Sequence, residues 1–214
     1  MKKAYNSTWI DHLHILSTSE AWLEKKLITN EQFTAIEQSF PQQFYRPGIF
    51  VKIGLFIFTL IACSFASGFV SLFLLGNSSE GSISVVSLLC MVGFIFFLEK
   101  LIKTKRLYHS GVDNALLYSA MGAAVIPFLS LFDNLAVWQY CIIFFAFSFA
   151  ATLRYADMLS AAGAFLLLMG LVGNLTMKFP LGKALLPFAI MILSAAVYLI
   201  IIKDKSTYYR RCTS

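Results

Sequence analysis

Six charge-free apolar runs, separated by short polar segments, fill most of the chain: residues 53–75, 83–98, 114–132, 135–153, 158–177 and 184–202. Five are 19 to 23 residues long and the second is 16. A helix rises about 1.5 Å per residue, so roughly 20 residues cross a hydrocarbon core about 30 Å thick. The pattern predicts six transmembrane helices. The short second run reaches full length by recruiting Ser82 and Glu99 at the interfaces, with Lys100 and Lys103 extending to water. The polar stretch before the first run, residues 1–48, is the only soluble segment of any size.

Within that stretch the apolar positions recur at helical spacing. Trp9, Leu13 and Leu16 form one stripe, Trp22, Leu23 and Leu27 a second, and Phe33, Ile36 and Phe40 a third. Ser17 and Glu20 have the spacing of a capping box, as do Thr29 and Gln32, so three short helices are expected. Pro41 ends the third, and Pro47-Gly48 marks the entry to the first span. A unit this small has little core of its own. It is expected to dock on the cytoplasmic face of the spans or on a partner.

Composition agrees with a lipid environment. Charged residues make up 13% of the 214, against about 25% in a soluble domain. The net charge of +6 does not point to nucleic acid, because the basic residues stand at the ends of the apolar runs. Six crossings with the N-terminus inside put fifteen Lys and Arg on the inner side and two on the outer. Removing the second crossing would abolish this bias, so the positive-inside rule supports six spans with both ends cytoplasmic. The Met1-Lys2-Lys3 start is not followed by an apolar region, so no cleaved signal is expected.

Cys63, Cys90 and Cys141 fall inside spans and Cys212 in the tail, a distribution that does not indicate disulfides. Of the sequons at Asn6, Asn77 and Asn174, only Asn77 lies in an expected outer loop, close to the bilayer. His12 and His14 form an H-x-H pair whose rings point about 200° apart on a helix, which suits solvated surface better than a metal.

No ionisable residue interrupts the apolar runs. The polar candidates are Asp113 and Asp157, at the inner starts of the third and fifth spans. Each can cap free N–H groups and complement the helix dipole, or line a proton or cation site at the inner mouth. The two span starts, Val112–Ala123 and Ala156–Ala164, also look alike, as a weak internal repeat or by chance. Pro127 lies inside the third span and deprives the Ala123 carbonyl of its helical partner. Pro187 is placed in the first turn of the sixth span. Small residues in 64–68, 119–124 and 160–164 are candidate helix contacts. Trp138 and Tyr140 fit an outer aromatic belt.

The stretch Ala21–Gln32 carries a W-L-x-x-x-x-I-x-x-E-Q pattern. It resembles the cytoplasmic N-terminal hairpin of an uncharacterised family of bacterial integral membrane proteins of unknown function. His109–Tyr118 (HSGVDNALLY) and Leu153–Leu159 (LRYADML) are similar to a Bacteroidota-like subgroup. The resemblance implies a bacterial inner-membrane protein with no assigned activity, and it carries over no functional residues. Members continue into further hydrophobic helices, and the departure at Ser214 leaves open a truncated or shortened member.

The expected fold class is all-α: a polytopic membrane protein, a six-helix transmembrane bundle with a small N-terminal helical head. Residues 1–48 form the head and 49–203 the membrane domain, with spans at 53–75, 82–99, 113–132, 135–153, 157–177 and 183–202. Residues 204–214 form a cytoplasmic tail. A non-enzymatic scaffold or accessory subunit is the leading expectation, and a small-solute or ion transporter or channel the alternative. No catalytic residue, cofactor or metal is expected. Expected partners are membrane lipid, a protein bound through residues 1–48, and a second copy of the chain, but not nucleic acid.

Overall fold

The computed structural model describes residues 4–5, 7–45, 47–74, 80–131 and 135–212, with side chains for all of these except 7, 80, 131 and 204–212. Lys2, Lys3, Asn6, Arg46, Asn77 and the turn Asp133–Asn134 lie outside the described residues. The described chain is all-α: α1 Ser7–Glu24, α2 Asn30–Ser39, α3 Ile49–Leu74, α4 Glu80–Lys105, α5 Val112–Leu131, α6 Val137–Tyr155, α7 Met158–Thr176 and α8 Gly182–Cys212. Six of these, α3 to α8, are long and apolar enough to cross a membrane. The chain is an integral, multi-pass membrane protein in architecture. It divides into two units, 1–133 with 153–156, and 134–152 with 157–214.

In the first unit, the 16-residue apolar run is the middle of α4, which is 26 residues and so about 39 Å long. Its last turn carries Lys103 and Lys105, well placed against the helix dipole. α4 and α5 form the tightest pair and α3 packs against both. Much of α3 still presents large apolar side chains outward, Phe50, Phe58, Phe65 and Leu72 among them. In water such a surface would be strongly unfavourable, and in hydrocarbon it is the ordinary lipid face.

Pro127 sits inside α5 as expected, and the carbonyl it strands is not left bare. Ser87 Oγ on α4 donates to the Ala123 carbonyl at 2.6 Å. One turn away, Ser84 Oγ donates to Ser130 Oγ at 2.7 Å. Two interhelical hydrogen bonds thus join α4 to the proline-bearing half of α5. In a membrane such bonds contribute about 1 kcal/mol each. Ser87→Ala should therefore lower stability by about 1 kcal/mol. In a Pro127→Ala background the same substitution should cost less, because residue 127 regains an N–H that can serve Ala123. Thermal unfolding of the four proteins in micelles, taken as a double-mutant cycle, measures the difference.

The head differs from the expected three helices. The first stripe and Trp22-Leu23 of the second belong to one helix, α1, with Leu27 in the turn that follows, and Ser17 does not cap anything. Ser17 Oγ and Thr18 Oγ1 donate back to the His14 carbonyl, at 3.0 and 2.9 Å, and Ser19 Oγ to Leu16 at 2.9 Å. These hydroxyls satisfy themselves on the preceding turn and let the helix run through. α1 ends instead in a Schellman-type turn. Lys26 adopts φ 57°, its N–H reaches the Leu23 carbonyl and that of Leu27 reaches Trp22, both at 2.9 Å. The second box forms as read: Thr29 Oγ1 accepts from the Gln32 N–H, and Gln32 Oε1 accepts from the Thr29 N–H. α2 folds back on α1, where His12 Nδ1 meets the Pro41 carbonyl at 2.8 Å and its ring lies edge-on to Phe40.

In the second unit α7 packs against α8. Lys178 Nζ stands 5.4 Å from the Trp138 ring centroid, so the start of α6 and the end of α7 share one end of that unit. Gly182 opens α8 because a Cβ there would run into the Thr176 carbonyl. Pro187 lies beyond the first turn of α8, where its ring removes the bond that would reach the Lys183 carbonyl. The helix also continues past the apolar run to Cys212, so the expected tail extends α8.

Candidate functional site

The connection from α4 to α5 is six residues long and turns sharply. Arg106 and His109 adopt φ of 52° and 45°, and Gly111 a φ of 98°. Gly111 takes this backbone freely, but Arg106 and His109 are costly there unless the surroundings fix them. What fixes them here is Asp113, in the first turn of α5 and only 1% exposed. Its Oδ1 accepts from the Ser110 N–H at 2.9 Å and from Ser110 Oγ at 3.2 Å. Its Oδ2 accepts from the His109 N–H at 2.7 Å and from the Tyr5 hydroxyl at 2.8 Å. A carboxylate offers roughly four lone-pair positions, and four donors occupy them.

The Tyr5 bond draws the start of the head onto the loop. Tyr5 lies edge-on to Tyr108, with centroids 5.0 Å apart, and Phe44 stacks on Tyr108 at 4.8 Å. Trp9 sits edge-on to Phe44, and the Arg106 guanidinium lies 5.1 Å from the Trp9 centroid. The segment after α2 joins from the other side, with the Tyr45 N–H donating to the Arg106 carbonyl at 3.1 Å and a bridge pairing Tyr45 with Leu107. Both ends of the hairpin therefore converge on the same loop, through Tyr5 and Trp9 before it and Phe44 and Tyr45 after it.

A second anchor lies at the end of α6. The Ala4 N–H donates to the Arg154 carbonyl at 2.9 Å. Arg154 pairs with Glu99 at the end of α4, both Nε and Nη2 standing 2.7 Å from Glu99 Oε1. The Tyr155 hydroxyl donates to the same oxygen at 2.9 Å. Glu99 thus extends α4 past its apolar run and ties it to Arg154, a pairing that the sequence reading missed. The only sequence signal was the placement of each residue at the same end of its span.

The two sequence candidates do different things. Asp157, 4% exposed, is the N-cap of α7, with extended φ −87° and ψ 128°, and its Oδ2 accepts from the Ser160 N–H at 2.7 Å. Asp113 does not cap its own helix in this way but reaches back to the preceding loop. The similar sequences of the two span starts therefore do not lead to similar use of the carboxylate. His109, without an evident partner in sequence, lies beside Tyr5 and Tyr108, its Nδ1 3.3 Å from Asn114 Oδ1. Among the described residues, no three His, Cys, Asp or Glu side chains converge as metal ligands. The arrangement is one of mutual satisfaction: its donors and acceptors hold the head, the loop and the ends of α4 and α6 in fixed positions. No family model matches the chain, and no curated protein or solved structure matches it.

Proposed function

We propose that the protein is a non-enzymatic adaptor of a bacterial inner membrane, with both ends in the cytoplasm, whose α1–α2 hairpin recruits a protein partner. The observation that carries this reading is the contrast between the two ends of the hairpin. Its base is held by Tyr5, Trp9, Phe44 and Tyr45 against the α4–α5 loop. Its far end is open: α2 has no buried residue, and Trp22 and Leu27 at the turn are 46% and 68% exposed. A rigid aromatic side chain beside an aliphatic one, held on a fixed base, is a recognition feature that loses little entropy on binding. Saturation of Asp113 by four donors supports a positioning role for it over a cation site.

A photo-crosslinker placed at residue 23, beside this surface, should capture a discrete partner from native membranes. Trp22→Ser with Leu27→Ser should abolish capture while leaving the helical circular dichroism unchanged. Equal capture by the variant would refute the reading. The alternative, passage of a small solute, draws its support from the hydroxyl-lined cavity among α3, α4 and α5.

A further inference from the structure

We infer that this cavity is a binding site for a small uncharged polyol, a proposal that stands whether or not the hairpin recruits a partner. The cavity is about 330 Å³, at the lower end of the roughly 300–1,000 Å³ of small-molecule sites. It lies from the middle of the three helices toward their ends remote from the head. Five of its lining residues are serines, Ser64, Ser67 and Ser71 from α3, Ser87 from α4 and Ser119 from α5. Hydroxyls that line a space inside apolar helices keep lone pairs even after bonding the backbone, and an occupant that can donate to them is favoured there.

The chemistry of those hydroxyls narrows the occupant. Ser64 donates to the Leu60 carbonyl at 2.9 Å, Ser71 to Ser67 at 2.8 Å, and Ser87 to Ala123 at 2.6 Å. A hydroxyl that has committed its proton offers only lone pairs. These three hydroxyls favour an occupant that brings donors, which an acyl chain lacks. No charged side chain lines the cavity among the described residues, so an ion would have no counter-charge. Ile83, Val86, Phe94 and Ile126 complete the wall and require an apolar face on the same molecule. A polyol has both, with several O–H donors on a short C–H backbone.

Two lining thiols, Cys63 and Cys90, provide the readout, and Gly122 the control. A Cβ at Gly122 would meet nothing within 4 Å, so a leucine there projects into open space inside the cavity. The full chain is prepared with Cys141→Ala and Cys212→Ala and treated in micelles with methyl methanethiosulfonate, an uncharged thiol reagent. Labelling of Cys63 and Cys90 is followed by mass spectrometry. Xylitol at about ten times its Kd should slow labelling roughly tenfold, by mass action. Gly122→Leu should remove the xylitol dependence, whereas Gly54→Leu, on α3 outside the cavity and also unobstructed, should retain it. Ser119→Val, close in size, should weaken protection with little change in the rate without xylitol. The proposal fails if xylitol leaves the rate unchanged, or if sucrose at equal osmolarity protects as well. It also fails if protection survives both Gly122→Leu and Ser119→Val.

Discussion

Gly111→Ala should be among the most damaging single substitutions in the chain. A Cβ at this position would overlap the Lys52 carbonyl oxygen and lie 3.2 Å from both the Lys52 carbonyl carbon and the Phe56 nitrogen. All three atoms are backbone of the first turns of α3, so no flexible side chain can move aside. The φ of 98° adds a second penalty, since an L-residue in left-handed backbone costs about 1–2 kcal/mol. Overpacking contributes about 1–3 kcal/mol more. The expected loss is roughly 2–5 kcal/mol, enough to unfold a marginally stable bundle. Thermal unfolding in micelles should show a large fall for Gly111→Ala. Gly93→Ala, where a Cβ meets nothing within 4 Å, should unfold near the parent temperature. Equal midpoints for the two variants would mean that the approach of the α4–α5 loop to α3 is not structurally required.

That close approach also bears on topology. The start of α3 and the loop after α4 touch at Gly111 and Lys52, so α3 and α4 leave and return to the same end of the first unit. The bond from Ala4 to Arg154 brings the end of α6 to that same end. Three segments that the charge count assigned to one side, the head, the α4–α5 loop and the end of α6, are thus neighbours within one unit. A non-crossing second run would have separated them. The contacts order the segments; which side they face rests on the distribution of Lys and Arg.

What the sequence made legible was whatever depends on composition over a helix length or on spacing within one turn. The apolar runs needed only length and freedom from charge. Thr29 and Gln32 are three residues apart, and their box forms with no help from the rest of the chain. The stranded Ala123 carbonyl followed from Pro127 alone, although its new partner, Ser87, did not. Ser17 and Glu20 failed as a signal for the complementary reason. Their spacing is also compatible with a helix interior, and apolar residues on both sides carried α1 through it. The anchor of the candidate site was illegible because its partners are far apart in the chain. Tyr5 and Asp113 are 108 residues apart, and Glu99 and Arg154 are 55 apart. No periodicity connects such positions, and Tyr5 in particular stands outside every apolar stripe.

Asp113→Ala should detach the head as well as destabilise the bundle. It would strand the His109 and Ser110 N–H groups, and take the carboxylate acceptor from the Tyr5 hydroxyl, in a site where Asp113 itself is 1% exposed. Unsatisfied buried donors cost about 1–3 kcal/mol each, and local relaxation that lets water reach them recovers only part, so a net loss of roughly 3–5 kcal/mol is expected. Asp113→Asn should fall between Ala and the parent. It keeps one acceptor oxygen but turns an NH₂ toward donors that need an acceptor. Tyr5→Phe removes one donor and leaves the loop bonds in place, so its cost should be about 1 kcal/mol. The two sites should be coupled: once residue 113 is alanine, Tyr5→Phe should cost almost nothing. Limited proteolysis separates the head from the loop as the point of failure. In Tyr5→Phe, cleavage within residues 1–48 should quicken while the α4–α5 loop stays resistant; in Asp113→Ala both should be cut. Equal resistance of the head in Tyr5→Phe and the parent would mean that the aromatic stack of Phe44 on Tyr108, and not the carboxylate, holds the hairpin in place.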